Sequence, residues 1–202
     1  MGFFSNLFKS KEQRELEAIY EKIELLLNSD EAQNKLIPEH FKSMYDQRPM
    51  NKVSGAKGDF GRDISNPIPV NGTLGEITYL SSLLVESTGE KVFFHRLGSC
   101  ANNIVIFELI SISGNFYDVL YLDMYHTHKS KIVPKGYISQ QKIVCIRGIH
   151  NFYRDFPVNF KDALINGTRN AIGFPCFDPD VKNIDIGRAL YTIAMHSRSK
   201  CH

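Results

Sequence analysis

Residues 123–131, Asp-Met-Tyr-His-Thr-His-Lys-Ser-Lys, gather the side chains best suited to chemistry: a carboxylate, two imidazoles two positions apart and two ammonium groups. Side chains on a β-strand alternate faces with period two, so His126 and His128 are expected to point the same way. Two imidazoles so placed bind one metal ion if a third ligand arrives from elsewhere, and His95 on the preceding extended stretch is the candidate. The same alternation puts Asp123 on the opposite face, with Tyr121 and Tyr125. The competing reading is plainer: the histidines are ordinary polar residues at the end of a strand. Catalytic candidates are therefore His126, His128 and His95. No metal is expected, and these three are the ligands if one is bound.

A second group follows directly. Lys129, Lys131, Lys135, Tyr137 and Arg147 interleave cations with an aromatic ring, a pattern that binds an anionic partner or single-stranded nucleic acid through charge and stacking. Residues 124–154 contain no acid, whereas residues 11–31 carry seven acids (Glu12, Glu15, Glu17, Glu21, Glu24, Asp30, Glu31) against Lys11, Arg14 and Lys22. The formal net charge of +2 conceals that asymmetry. Either the basic stretch forms one surface, or acids from elsewhere in the fold neutralise it.

Other signatures are missing. Gly55, Gly58 and Gly61 suggest a phosphate loop, but no G-K-[S/T] follows and no helical pattern comes next to supply an N-terminus. Cys100, Cys145, Cys176 and Cys201 form no C-x-x-C pair, which excludes a zinc knuckle or a thioredoxin motif and leaves buried or incidental thiols. A cysteine nucleophile paired with His150 has no local pattern behind it. G-x-S-x-G, H-E-x-x-H, the EF-hand loop and the kinase set are all absent.

The elements that must position these groups are readable in outline. Leu16, Ile19, Tyr20, Ile23, Leu26 and Leu27 recur at helical spacing over 11–27, with Ser10 and Gln13 as a capping box. A second helical stretch over 30–46 is broken near Pro38. Residues 46–73 read as a Gly/Pro-rich linker or loop. Residues 91–97, 103–112, 116–128 and 142–149 are rich in aromatic and β-branched side chains and read as strands. Residues 75–85 are ambiguous between strand and helix. Gly114-Asn115 suggests a two-residue hairpin turn that sets Leu122 opposite Phe107, Met124 opposite Val105 and His126 opposite Asn103. The apolar strip Val105, Phe107, Leu109, Leu120, Leu122 and Met124 should then be buried on one face. Asn159 and Asp178-Pro179 mark the starts of C-terminal helices.

The resulting fold is α+β: N-terminal helices over 1–45, a linker over 46–73, and a core over 74–202 in one compact domain. That core has a central, mostly antiparallel sheet with a 103–128 hairpin and C-terminal helices packed on it. The expected function is a small cytoplasmic, non-enzymatic binding protein of the adaptor, inhibitor or toxin-immunity kind. Its partner is another protein, or else a nucleic acid or other anion. Phe3, Phe4, Leu7 and Phe8 are expected to dock on the protein itself rather than on a membrane surface. No cofactor is expected. The alternative is a metal-assisted hydrolase or phosphoester-processing enzyme using the histidine cluster, and only that reading needs a divalent metal.

Overall fold

Ser10 and Gln13 exchange the two hydrogen bonds of a capping box, with Ser10 Oγ accepting from Gln13 N–H at 3.2 Å and Gln13 Oε1 from Ser10 N–H at 2.9 Å. They open the first helix of a computed structural model that describes residues 10–46, 50–100 and 104–199. The helices are α1 (Lys11–Asn28), α2 (Asp30–Asn34), α3 (Gly72–Ser82), α4 (Phe160–Ile172) and α5 (Ile186–Ser199). Short 3-10 turns occupy Glu39–Met44, after the break at Pro38, and Pro179–Asn183, capped by Asp178. The strands are β1 (Ile68–Pro69), β2 (Leu83–Val85), β3 (Val92–Ser99), β4 (Val105–Ser111), β5 (Tyr117–Asp123), β6 (Tyr137–Ser139) and β7 (Gly148–Ile149). Phe3, Phe4, Leu7 and Phe8 lie outside the described residues.

The α+β reading holds. A five-stranded sheet runs in the order β1-β5-β4-β3-β7, antiparallel through its three long strands and parallel at both edges. A small antiparallel pair, β2 with β6, sits beside it. The predicted apolar strip is the sheet's inner face: Phe107, Leu109, Leu120 and Leu122 are fully buried, Val105 is nearly so, and Met124 packs against the core. At about 1.5–3 kcal/mol for each large apolar side chain removed from water, this strip is a major part of the driving force.

The hairpin differs from expectation in register. Phe107 faces Leu120 and Val105 faces Leu122, two residues away from the predicted pairing. The turn is longer than two residues because Ser111 Oγ accepts the Phe116 N–H at 3.1 Å and Ser113 Oγ accepts the Asn115 N–H at 3.3 Å. Gly114, at φ +71°, presses on α5 so closely that a Cβ would lie 2.5 Å from Ala189 N. A shift of two leaves every side chain on its predicted face, so the strip survives the error.

α3 corrects two expectations. A helix does follow the glycine-rich stretch, and it takes up most of the ambiguous 75–85 segment. Ten of its eleven residues are buried, so no 3.6-residue alternation betrays it. The strand expected over 142–149 shrinks to Gly148–Ile149. Asn159 precedes α4 in a left-handed conformation, φ 53°, with no side-chain capping bond. α3 packs against β3 and β7 on one face of the sheet, and α1 and α2 pack against α3. On the other face, Phe156 at the approach to α4 stacks on His95, and His196 of α5 lies against Tyr117.

Candidate functional site

Three carboxylate–imidazole pairs are distributed over the sheet. In the first, β3 carries His95 to the face opposite α3. Its Nδ1 accepts the Tyr153 N–H at 3.2 Å, so the ring proton sits on Nε2 and is donated to Glu108 Oε2 at 3.0 Å. The other Glu108 oxygen accepts from Tyr117 O–H at 2.9 Å, and burial with the nearby Glu108 charge pushes that phenol up. Both ring nitrogens and both carboxylate oxygens are thus engaged, and His95 is 2% exposed.

The second pair overturns the strand argument for Asp123. β5 ends at Asp123, and the chain then bends into isolated bridges, Tyr125 with Asn71 and His126 with Asp46. Without strand geometry the face alternation lapses, and Asp123 Oδ2 lies 3.0 Å from His126 Nε2. His128 turns elsewhere: its Nδ1 meets Thr127 Oγ1 at 3.0 Å, and it lines a cavity of about 400 Å³ with Glu31, Lys35 and Lys42. His126 and His128 thus take different hydrogen-bond partners, and His95 takes others again. Among the described residues no three His, Cys, Asp or Glu side chains are grouped to hold a metal ion.

The third pair has the most chemical potential. Glu76, in the first turns of α3, is fully buried, and its Oε2 lies 2.6 Å from His150 Nδ1. His150 Nε2 meets Arg96 Nη1 at 3.2 Å. A guanidinium has no acceptor, so Nε2 must accept and the imidazole proton must sit on Nδ1, facing the carboxylate. Burial pushes the Glu76 carboxyl up, against the pull of His150 and Arg96. Among the described residues neither Glu76 oxygen nor His150 Nδ1 has a hydrogen-bond partner, so the 2.6 Å approach is a charge contact without hydrogen-bond alignment. Sequence reading missed Glu76 and Arg96. The available signal was that Glu76 is the one charge in residues 71–85, and a lone acid inside an apolar run needs a buried partner.

The basic residues separate. Lys129 pairs with Asp30 at 2.7 Å and also donates to Gln33 Oε1 at 2.7 Å; burial pulls its ammonium down while Asp30 pulls it up. Tyr137 is buried and donates to Asp118 Oδ2 at 3.0 Å. Arg147, 3% exposed, meets Asp178 at 3.3 Å, donates to Leu83 O at 2.9 Å and touches Gln140 Oε1. Asp178 also binds Lys91 at 2.8 Å; burial would raise this carboxyl, but the bonds from Lys91 and Asp180 N–H win and hold it down. Only Lys131 and Lys135 of the five remain exposed. Burial and the Asp178 charge push the Cys145 thiol up to about 12, and burial raises Cys176, so neither is activated as a nucleophile.

At the surface, α1 keeps apolar side chains in water. Tyr20 is 62% exposed and Leu16 51%, while Val144 across from them is 72% exposed. Tyr20, Ile23, Leu27, Ile143, Val144 and Pro175 line a groove of about 290 Å³. Among the described residues no helix is long and apolar enough to cross a membrane. Comparison with family models, curated proteins and solved structures finds no match to this chain.

Proposed function

We propose that this chain is a small cytoplasmic binding protein of the adaptor, inhibitor or immunity kind, which engages another protein through α1 and the rim around Val144. The observation carrying this reading is the exposed apolar face of α1 beside an apolar groove. Large apolar side chains left in water and flanking a groove mark an interaction surface more often than a solvated one. The occupant is a protein segment with an apolar anchor and basic flanks. α1 supplies the complement, with Glu12, Glu15, Glu17, Glu21 and Glu24 against Lys11, Arg14 and Lys22. Further support comes from His95 and His126, which pair with Glu108 and Asp123 inside the fold.

The test uses the chain with Tyr20→Glu and Val144→Glu as probes. Proteins captured from lysate of the source cells are made recombinantly and titrated. The reading expects one that binds saturably below about 10 μM and weakens at least about tenfold in both variants, with melting temperature unchanged. Equal binding by the variants, or no saturable binder, overturns it.

A further inference from the structure

α5 is apolar on two sides but packed on one. Ala189 is fully buried beside Gly114, and Ile186 and Ile193 pack on the core. At about 100° per residue, Leu190, Tyr191, Ala194 and Met195 fall on the opposite side. All four are exposed, Tyr191 to 57%. A helix that is apolar all round is ordinarily buried all round, so this stripe is a surface for a further partner. Its charge has one sign. α5 holds Arg188 and Arg198 and no acid, and the Arg188 guanidinium lies 5.5 Å from the centre of the Tyr191 ring.

α1 carries the complement. Residues 11–18 are all exposed, because the helix overhangs the body and is held from Ile19 onward. Leu16 and Tyr20 stand clear on the face that buries Leu27 further along. In the same helical register Glu12, Glu17 and Glu24 flank that face, Glu24 already meeting Lys142, whereas Lys11, Arg14 and Lys22 fall on the far side. Length matches as well as charge: at about 1.5 Å per residue, residues 187–195 of α5 and 16–23 of α1 span about 12 and about 10 Å.

We propose that α5 of one copy of this chain packs its apolar stripe on the α1 face of a second copy, with its arginines set against the glutamates beside Tyr20. The inference rests on the reading of α1 as a docking face and names an occupant for it. Apolar contact between the stripes supplies the attraction, and opposite charge fixes which helix meets which: two α1 faces repel, as do two α5 faces. The two faces lie on opposite sides of the sheet, since α1 packs through α3 and α5 packs on β5. One contact therefore leaves an α1 face open on one copy and an α5 face open on the other. Association runs head to tail, into a ring or an open chain, and does not close at the dimer. A partner that takes the α1 face competes with the second copy.

The experiment is analytical ultracentrifugation of the full chain up to about 200 μM, at low and high salt. The parent should grow past the dimer with concentration, and less so at high salt, where the charges are screened. Tyr20→Glu and Tyr191→Glu should each weaken association at least about tenfold. Mixed in equal amounts they should form a one-to-one pair about as tightly as the parent associates, and stop there, because the first keeps an intact α5 and the second an intact α1. Leu16→Glu and Met195→Glu replace either variant if its melting curve shows that it has not folded. A parent that stays monomeric, or a mixture of folded variants that does not pair, overturns the proposal. If the parent is monomeric while a lysate protein still binds through Tyr20, this inference fails and the α1 reading stands. If the parent associates and Tyr20→Glu changes nothing, both fail.

Discussion

A side chain's neighbours, more than its type, decide what it can do here. Glu76 is the sharpest case. Burial raises its carboxyl above the unfolded value of 4.5, so the folded chain holds a proton that the unfolded chain has lost. The stabilisation this gives is fully present below about pH 4.5 and is lost as pH rises through the folded value. Glu76→Gln cannot titrate, yet it keeps the size and shape of the side chain. Urea unfolding between pH 4 and 8 should show the parent losing stability relative to this variant as pH climbs; parallel curves would mean that Glu76 is not desolvated. Cys145 makes the converse point. With its thiol near 12 against an ordinary 9.0, it should alkylate about a thousandfold more slowly than a free thiol at pH 8, measured by peptide mass spectrometry.

At the scale of elements, legibility followed periodicity. The strip Val105 to Met124 was readable because one face of the sheet is apolar and a slip of two residues keeps the face. α3 was not, because it is buried nearly all round, and the moment that reveals a surface helix is absent. The Asp123 assignment failed for a related reason: alternation holds only where a strand continues, and nothing in Met-Tyr-His-Thr-His announces that pairing stops at Asp123. Leu122→Ala should cost about 2–5 kcal/mol in urea unfolding, since Leu122 is fully buried between Val105 and Ile68 partners and its loss leaves a cavity. A cost below about 1 kcal/mol would place it outside the core.

For the whole molecule, the uneven charge seen in sequence is partly an assembly device. The acidic N-terminal helices meet the acid-free stretch: Asp30 with Lys129 and Glu24 with Lys142, each at 2.7 Å. Asn28 reinforces the contact by bonding both the N–H and the carbonyl of Ile143, at 2.8 and 2.9 Å. Asp30→Ala should cost about 1–3 kcal/mol, because it strands a largely buried ammonium, while Asp30→Ala with Lys129→Met should recover part of that. A double variant worse than the single would show that the pair is not the reason for the loss. The two edge strands carry a separate consequence. β1 and β7 are two residues long, and β1 includes Pro69, whose nitrogen has no proton and whose carbonyl already accepts from Ser130 at 2.9 Å. β1 pairs only with Leu122 and Asp123 of β5, and β7 only with Phe94 and His95 of β3. The two edge strands themselves give a visiting chain no long ladder of peptide groups to extend, which disfavours fibril growth by strand addition at β1 and β7. Any β-augmentation of this sheet would have to use the stretches of β3 and β5 that the short edge strands leave uncovered.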